Sequence, residues 1–286
     1  MLVGLDVISK NAIVNQYAVG MFNVVNLEFA EAILAAAEEL QAPVMLGLPE
    51  RFFNFYDLET YARICIDMAN RARVPVAVHL DHGKSLDLVL RCIRNGLSSV
   101  MFDGSTLPFE ENIRRTKEVV RVARAVGVSV EGELGHIGRS SDNDPIDTAL
   151  FTKTEEAVQF VAETGVDALA IAIGTIHGVY KGTPNLDYDR LQEIRNRVDV
   201  GLVLHGGSGL SNDSFQKAVQ FGINKVNIYT ELSQTALKHA AANVAGAREY
   251  LEITKSMRQA LTEVVKERIT VFGGAGQAAP GRFITG

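Results

Sequence analysis

The chain has 286 residues, 47% of them hydrophobic, and a formal net charge of −6. This length and apolar content allow a full buried core and favour one large α/β domain over two small ones. The acidic balance and the lack of any basic run argue against nucleic acid or an anionic membrane surface as a partner. No apolar stretch is long enough to cross a membrane, and the N-terminus lacks the regions of a secretory signal.

The two cysteines, Cys65 and Cys92, lie among apolar neighbours in helix-like segments. This placement is typical of buried thiols in a reducing compartment, rather than of a disulfide or a catalytic thiol. We therefore expect a cytoplasmic protein.

From residue 17 onward, short β-branched runs alternate with longer amphipathic segments. Several runs are apolar almost throughout, as strands of a parallel sheet are when both faces are covered. Eight such strands alternating with helices predict a (β/α)8 barrel, the TIM barrel fold. The predicted strands comprise residues 17–24, 43–48, 76–80, 98–102, 129–132, 168–173, 201–204 and 225–228. The predicted helices comprise residues 27–40, 57–73, 85–95, 110–125, 155–164, 186–198 and 212–221.

The chain after Thr230 is predicted to form a helical extension over about residues 231–272. A Gly/Ala-rich tail, residues 273–286, follows it and is expected to be mobile or lid-like. No linker marks a domain boundary, so residues 1–286 are expected to form a single domain.

Three histidines fall at the ends of predicted strands three, six and seven, and a glycine follows each of them: His82, His177 and His205. The carboxyl ends of all strands share one rim of a TIM barrel, where active sites lie. Three neutral imidazoles with one open position form a catalytic zinc site. The sequence therefore predicts zinc on these residues, and we expect His79, on the same strand as His82, to support the site without binding the metal.

Carboxylates accompany these histidines. Asp81 precedes His82 directly and is the candidate acid/base, provided that it points at substrate and away from the metal. Asp103 and Glu133, on the next two strands, either hold the ligand imidazoles by hydrogen bonds or make buried structural hydrogen bonds.

A glycine-rich turn, Gly206-Gly207-Ser208, follows strand seven. The loops after strands seven and eight are the usual phosphate site of this fold. Glycines let backbone N–H groups approach an anion, and the hydroxyls of Ser208 and Thr230 add donors. At any other place the same turn would indicate flexibility alone, but here it predicts phosphate binding.

Four motifs occur in order along the chain: LDHG, GTIHGVYKG, LHGGSGL and KVN-x-x-TE. With them the chain resembles the class II, zinc-dependent ketose-bisphosphate aldolases, and it looks closest to their tagatose-bisphosphate branch. The resemblance runs from about Gly20 to Thr230 and continues more weakly beyond. It implies reversible cleavage of a phosphorylated ketose, of tagatose- or fructose-bisphosphate type, to dihydroxyacetone phosphate and an aldehyde. It also implies a homodimer or homotetramer.

The resemblance implies roles for individual residues. Zinc would lie on His82, His177 and His205 and polarise the ketone oxygen, while Asp81 would take the C4 hydroxyl proton on cleavage. A sodium or potassium ion would lie beneath the phosphate loop. No lysine stands at a strand end as in a Schiff-base aldolase, since Lys225 is expected at the opposite rim. The implied substrate-binding residues are Asn23, Gly178, Lys181, Gly206, Gly207, Ser208, Asn227, Tyr229 and Thr230.

The loop after strand five departs from the family pattern. Relatives carry Gly-Gly-x-Glu-Asp there, and this glutamate shuttles a proton of dihydroxyacetone phosphate. Here the loop reads Gly138-Arg139-Ser140-Ser141-Asp142, with Ser141 at the place of the glutamate. Asp142 and Asp144 are candidate substitutes.

The loop after strand two also departs. Many relatives place a serine near the substrate there, whereas this chain reads Gly47-Leu48-Pro49-Glu50-Arg51. Arg51 and Arg139 are new cationic candidates, and Arg258 on the C-terminal helix is a candidate for a distal anion. We therefore expect the cleavage reaction to be retained with an unusual aldehyde half, such as another sugar phosphate or a sulfonated sugar, because a guanidinium suits either anion.

Two other functions compete with the aldolase. A zinc-dependent lyase or epimerase on the same scaffold would use the metal without releasing two three-carbon products. A catalytically weak phosphosugar-binding protein would not need the loop glutamate, and this would explain why Ser141 stands in its place. An acid such as Asp81 beside an open metal site argues against this binding protein.

Overall fold

A computed structural model of the chain describes residues 1–135, 137–138, 148–178, 180 and 184–284. Its centre is a closed barrel of parallel strands in chain order, so the TIM barrel prediction is confirmed. The strands are β1 (Val19–Asn23), β2 (Val44–Pro49), β3 (Val76–Gly83), β4 (Ser99–Phe102), β5 (Ser129–Leu134), β6 (Ala168–Ile171), β7 (Gly201–Leu204) and β8 (Ile223–Ile228).

Helices surround the barrel, and several of them pack directly against its strands. Asn26, Asp57 and Ser85 cap the first helical turns, because their side-chain oxygens accept backbone N–H groups that lack intrahelical partners. The helices are α1 (Leu5–Val14), α2 (Leu27–Glu39), α3 (Leu58–Arg71), α4 (Leu86–Arg94), α5 (Phe109–Ala125), α6 (Thr154–Thr164), α7 (Tyr188–Arg195), α8 (Asn212–Gln220), α9 (Thr230–Asn243) and α10 (Tyr250–Val271), with short 3-10 helices at Glu50–Asn54 and Thr148–Leu150.

The lower end of the barrel, where the strands begin, is closed by α1, an element that the sequence did not indicate. Leu5, Ile8 and Ala12 on α1 are fully buried against inward-facing side chains such as Met21 and Met45. This apolar cluster fills the lower half of the barrel. Polar side chains therefore gather in the upper half, at the carboxyl ends of the strands.

The C-terminal region lies along the outside of the barrel. The helix α10 packs against α2 and α9. The chain then passes below the barrel, where the N–H of Gly276 donates to Leu40 O at 2.8 Å and the N–H of Ile284 donates to Asn11 Oδ1 at 2.9 Å. The described part of this tail is thus hydrogen-bonded at the end opposite the carboxyl ends of the strands. Among the described residues, every helix is too short or too polar to span a bilayer.

Candidate active site

The three predicted metal ligands converge at the carboxyl ends of the strands. His82 is the second-last residue of β3, His205 follows β7, and His177 lies in the loop after β6. The ring centroids of His82 and His205 are 4.7 Å apart, and that of His177 is 5.0 Å from His82. One ligand nitrogen from each ring lies within 4.8 Å of the other two. The geometry therefore brings together a set of side chains that can hold a metal ion.

Hydrogen bonds orient two of these rings. His82 donates from Nδ1 to Asp103 Oδ2 at 3.0 Å, and His205 donates from Nε2 to Glu131 Oε1 at 2.8 Å. Since a carboxylate only accepts, the lone pairs of the rings are left on His82 Nε2 and His205 Nδ1. These two nitrogens face each other at 3.0 Å. Two lone pairs at this distance require a proton or a cation between them.

The pKa values of the rings agree with this arrangement. Burial, and then the charge of His82, keeps the pKa of His205 well below its ordinary value, so this imidazole is neutral. Burial lowers the pKa of His82, but the nearby Asp81 and the bond to Asp103 outweigh it and raise the pKa to about 9. Without a metal ion, the position between the two rings therefore holds a proton.

Glu133 is a further indication of a cation. The carboxyl is buried, and burial, then the charge of Asp103, raises its pKa to about 8. Its Oε2 has no hydrogen-bond partner among the described residues. The same oxygen lies 3.8 Å from His82 Nδ1 and 3.9 Å from His205 Nδ1. An ion held by the histidines would stabilise the charge of this carboxylate, so the residues present fit a bound metal.

Asp81 lies beside His82, with 3.9 Å between its Oδ1 and His82 Nε2. Its two oxygens accept from amides on two other strands, Asn23 Nδ2 at 2.9 Å and Asn227 Nδ2 at 3.2 Å. Burial raises the pKa of Asp81, but the charges of His82 and Lys225 and the hydrogen bond from Asn23 more than compensate, and the net pKa lies below the ordinary value. The candidate acid/base is thus an ionised carboxylate in a fixed orientation.

The candidate phosphate loop lies between β7, β8 and the start of α9. Gly206 has φ of +65°, and a Cβ there would lie 2.4 Å from Ile176 O. Ser208 Oγ accepts from the N–H of Glu231 at 3.3 Å, so the hydroxyl lies at the first turn of α9. A helix N-terminus and a glycine turn together offer several N–H groups to an anion. Of the other predicted contacts, Gly207, Asn227 and Thr230 lie in these same segments, and Gly178 lies in the loop after β6.

Tyr180 joins two loops of this region, and the sequence did not indicate it. Its hydroxyl donates to Gly206 O at 2.7 Å and accepts from the N–H of Ile176 at 3.1 Å. The loop after β6, which carries His177, is thereby attached to the glycine turn after β7. The tyrosine is part of the motif GTIHGVYKG, but nothing in the motif indicated a role for it.

The cationic candidates have different surroundings. The guanidinium carbon of Arg51 lies 4.5 Å from the ring centroid of Tyr229, at the mouth of the barrel. Arg258 makes an ion pair with Glu31 at 2.6 Å. Three other predicted residues, Arg139, Asp142 and Lys181, lie outside the described residues, as does Ser141.

Two buried charged residues were missed or misplaced. Lys225 was expected at the opposite rim, but β8 already begins at Ile223, and the lysine is fully buried beside the site. Its Nζ lies 2.8 Å from Glu131 Oε2, which pairs it with the carboxylate that orients His205. The signal for Glu131 was present, since it lies two residues before Glu133 and side chains on a strand alternate between faces.

His79 is buried next to residues of the candidate site. Its Nδ1 lies 2.6 Å from Ser99 Oγ, and its Nε2 lies 3.7 Å from Glu131 Oε2. Burial, and then the charge of Lys225, keeps its pKa well below the ordinary value. A neutral His79 therefore packs below the rings of His82 and His205.

Comparisons with known proteins agree with this geometry. A family model described as "Fructose-bisphosphate aldolase class-II" matches residues 3–277. Fructose-bisphosphate aldolase from Thermus caldophilus is 41% identical, over 97% of this chain and all of the relative. The protein YdjI from Escherichia coli K12 is 37% identical with the same coverage. The crystal structure of the YdjI aldolase superposes with a TM-score of 0.89 at 36% identity, covering 97% of this chain and all of that chain.

The matches span nearly the whole chain and include the carboxyl-end segments that carry the histidines and Asp81. The resemblance of the four motifs to the class II aldolase family is thereby confirmed. The chain belongs to the class-II fructose-bisphosphate aldolase family and is an aldolase, a lyase enzyme.

Proposed function

We propose that the chain catalyses zinc-dependent, reversible cleavage of a phosphorylated ketose to dihydroxyacetone phosphate and an aldehyde. The observation that carries this proposal is the 3.0 Å approach of His82 Nε2 and His205 Nδ1 beside the ionised Asp81. A Lewis acid and a base side by side are what cleavage next to a carbonyl requires.

The proposed metal ligands are His82, His177 and His205. Three imidazoles with an open position are a common donor set for catalytic zinc. Zinc, when bound, supplies Lewis-acid polarisation of the substrate carbonyl. Asp103 and Glu131 keep the rings of His82 and His205 turned toward the ion by accepting from their other nitrogens.

Asp81 is the proposed base in the cleavage direction. The amides of Asn23 and Asn227 hold the two oxygens of the carboxylate and favour its charged form. One of these oxygens takes the proton of the C4 hydroxyl as the bond between C3 and C4 breaks. The electron pair of that bond stays with the C3 half, which takes up a proton at C3 to become dihydroxyacetone phosphate. In the condensation direction the same residue returns that proton to the aldehyde oxygen.

The phosphate of the ketose is proposed to bind at Gly206, Gly207 and Ser208, at the N-terminus of α9. The left-handed backbone of Gly206 and the Oγ of Ser208 beside the first turn of α9 support this assignment. The sodium or potassium ion beneath this loop, and a homodimer or homotetramer, are proposed on the family resemblance alone.

For the aldehyde half, we propose an anionic group that reaches Arg51. Phe52 is buried and anchors the 3-10 helix after β2, while the Arg51 guanidinium lies over Tyr229. Within the described part of the chain, no carboxylate lies within ion-pair distance of this guanidinium. A phosphate or sulfonate on the aldehyde suits such a free, stacked cation.

The test is a coupled assay for release of dihydroxyacetone phosphate. Fructose 1,6-bisphosphate, tagatose 1,6-bisphosphate and a sulfonated ketose phosphate are compared, with zinc and with a zinc chelator. We expect chelator-sensitive release from at least one ketose. Tight binding of these ketoses without cleavage by the zinc-loaded protein would contradict the proposal and favour a phosphosugar-binding protein.

A further inference from the structure

We propose that Lys225 is a positioning residue: it sets the orientation of the Asn227 amide and thereby directs an N–H of that amide at Asp81. The inference rests on the proposed role of Asp81 as base. Lys225 Nζ donates to Asn227 Oδ1 at 2.7 Å, and Asn227 Nδ2 donates to Asp81 Oδ1 at 3.2 Å. All three side chains are buried.

The amide orientation follows from donor chemistry. A lysine ammonium has three donors and no acceptor, so only the oxygen of Asn227 can face it. The amide is planar, and its NH2 group must then point away from Lys225, where Asp81 lies. The reverse orientation would bring two donors together at 2.7 Å and set an oxygen against a carboxylate. The same NH2 lies 3.2 Å from His205 Nε2. This ring nitrogen already donates its hydrogen to Glu131, so it does not need the Asn227 oxygen as an acceptor.

Glu131 explains how a lysine is tolerated at this place. Its Oε2 lies 2.8 Å from Lys225 Nζ, and its Oε1 accepts from His205. An isolated buried charge is strongly unfavourable, and a paired one much less so. The pair therefore links both parts of the site: its acidic member orients a proposed metal ligand, and its basic member orients the amide on the proposed base.

A purely structural ion pair is the competing explanation, and the variants are chosen to separate the two. Lys225→Met alone would leave Glu131 unpaired and destabilise the barrel. The double variant Glu131→Gln, Lys225→Met replaces the pair with neutral side chains and keeps an oxygen to accept from His205. Such neutral replacements are often tolerated. Lys217→Met, at a half-exposed lysine on α8, is the matched control.

We expect the double variant to bind zinc and to unfold thermally near the parent, while its kcat falls about 10-fold to 100-fold, the size of one lost charge-assisted hydrogen bond. Added to Asn227→Ala, the double substitution should lower kcat little further. The glutamine at position 131 still accepts from His205, so the remaining effect passes through the Asn227 amide. Full additivity would overturn the proposal, as would an unchanged kcat.

A second readout needs no turnover. In metal-free protein labelled with 15N-asparagine, the Asn227 side-chain signals are assigned by their absence in Asn227→Ala. We expect these amide protons to exchange with water about tenfold faster in the double variant, and at the parent rate in Lys217→Met. Equal rates would overturn the proposal.

A second double variant is available should the methionine version not fold. Glu131→Gln, Lys225→Gln keeps an N–H donor at position 225 and should retain slow exchange of the Asn227 amide protons. If the parent cleaves none of the ketoses, the proposed function fails, while the exchange rates still decide the role of Lys225.

Discussion

Asp81 and His82 are neighbours in the chain, yet both side chains point into the mouth of the barrel. Neighbours on a regular strand point to opposite faces. Here the pairing of β3 with β4 shifts register between Leu80 and Gly83, and His82 adopts φ of +55°, in the left-handed region. Such conformations are unfavourable for residues other than glycine and concentrate at functional sites. The bulge thus places a proposed base and a proposed metal ligand side by side.

Asp81→Asn tests the base. The substitution keeps the shape but removes the proton acceptor, so kcat should fall by about 10²-fold to 10⁴-fold. Zinc binding should persist, since the three histidines remain. Steady-state kinetics and metal analysis measure the two effects. The matched control is Asp87→Asn, at an exposed position on α4, and an equal loss of activity in both variants would contradict the role of Asp81.

Metal binding should stabilise the fold. At a free zinc concentration 100 times the dissociation constant, the free energy of unfolding should rise by about 2.7 kcal/mol, because the ion binds the folded state. His205→Ala removes one ligand and should largely abolish this increase. Denaturant unfolding with and without zinc measures it. His239→Ala, on α9 outside the cluster, should respond as the parent does. A full increase in His205→Ala would rule out the proposed ligand set.

Gly206→Ala should damage the candidate phosphate loop. The backbone there has φ of +65°, and the added Cβ would lie 2.4 Å from Ile176 O, a backbone atom that cannot rotate away. We expect a loss of stability of about 1–3 kcal/mol and a raised KM for the ketose. Gly127→Ala is the control. Gly127 also has a positive φ, +71°, but no atom lies within 4 Å of the Cβ that the substitution would add. A KM that stays unchanged in Gly206→Ala would argue against phosphate at this loop.

Arg51→Gln should discriminate between substrates. A guanidinium that binds an anionic group contributes about 1.5–3 kcal/mol, so kcat/KM should fall about 10-fold to 100-fold for a ketose with a charged distal end. A ketose 1-phosphate with a neutral distal end should be affected little. Arg63→Gln, at an exposed position on α3, provides the control. An equal loss of kcat/KM for charged and neutral substrates would show that Arg51 does not bind the distal group.

The two cysteines should be inert. Both thiols are buried, and burial raises the pKa of Cys65 and of Cys92 to about 12. The thiolate is the reactive form, so almost none is present at pH 8. An aromatic disulfide reagent should therefore react with the unfolded chain and not with the native one. Fast reaction of the native protein would show that one of the helices opens readily.

The sequence by itself was enough to predict the barrel and the approach of three histidines at one of its rims. Few folds accommodate a regular alternation of apolar strands with amphipathic helices. In a closed barrel of parallel strands, all strands end at one rim. His82, His177 and His205 therefore had to approach one another once the strand ends were located. Asp103 also follows from this rule, since β4 lies next to β3 in the barrel.

Only the tertiary structure decided which polar side chains point inward and what they meet. The bulge at His82 and the inward face of Lys225 depend on strand register, which local sequence does not encode. Glu131 and Lys225 lie far apart in the chain, and so do Arg51 and Tyr229, so closure of the barrel alone brings each pair together. The position of α1 also depends on the tertiary structure, because its apolar side chains are buried only when the lower end of the barrel has formed.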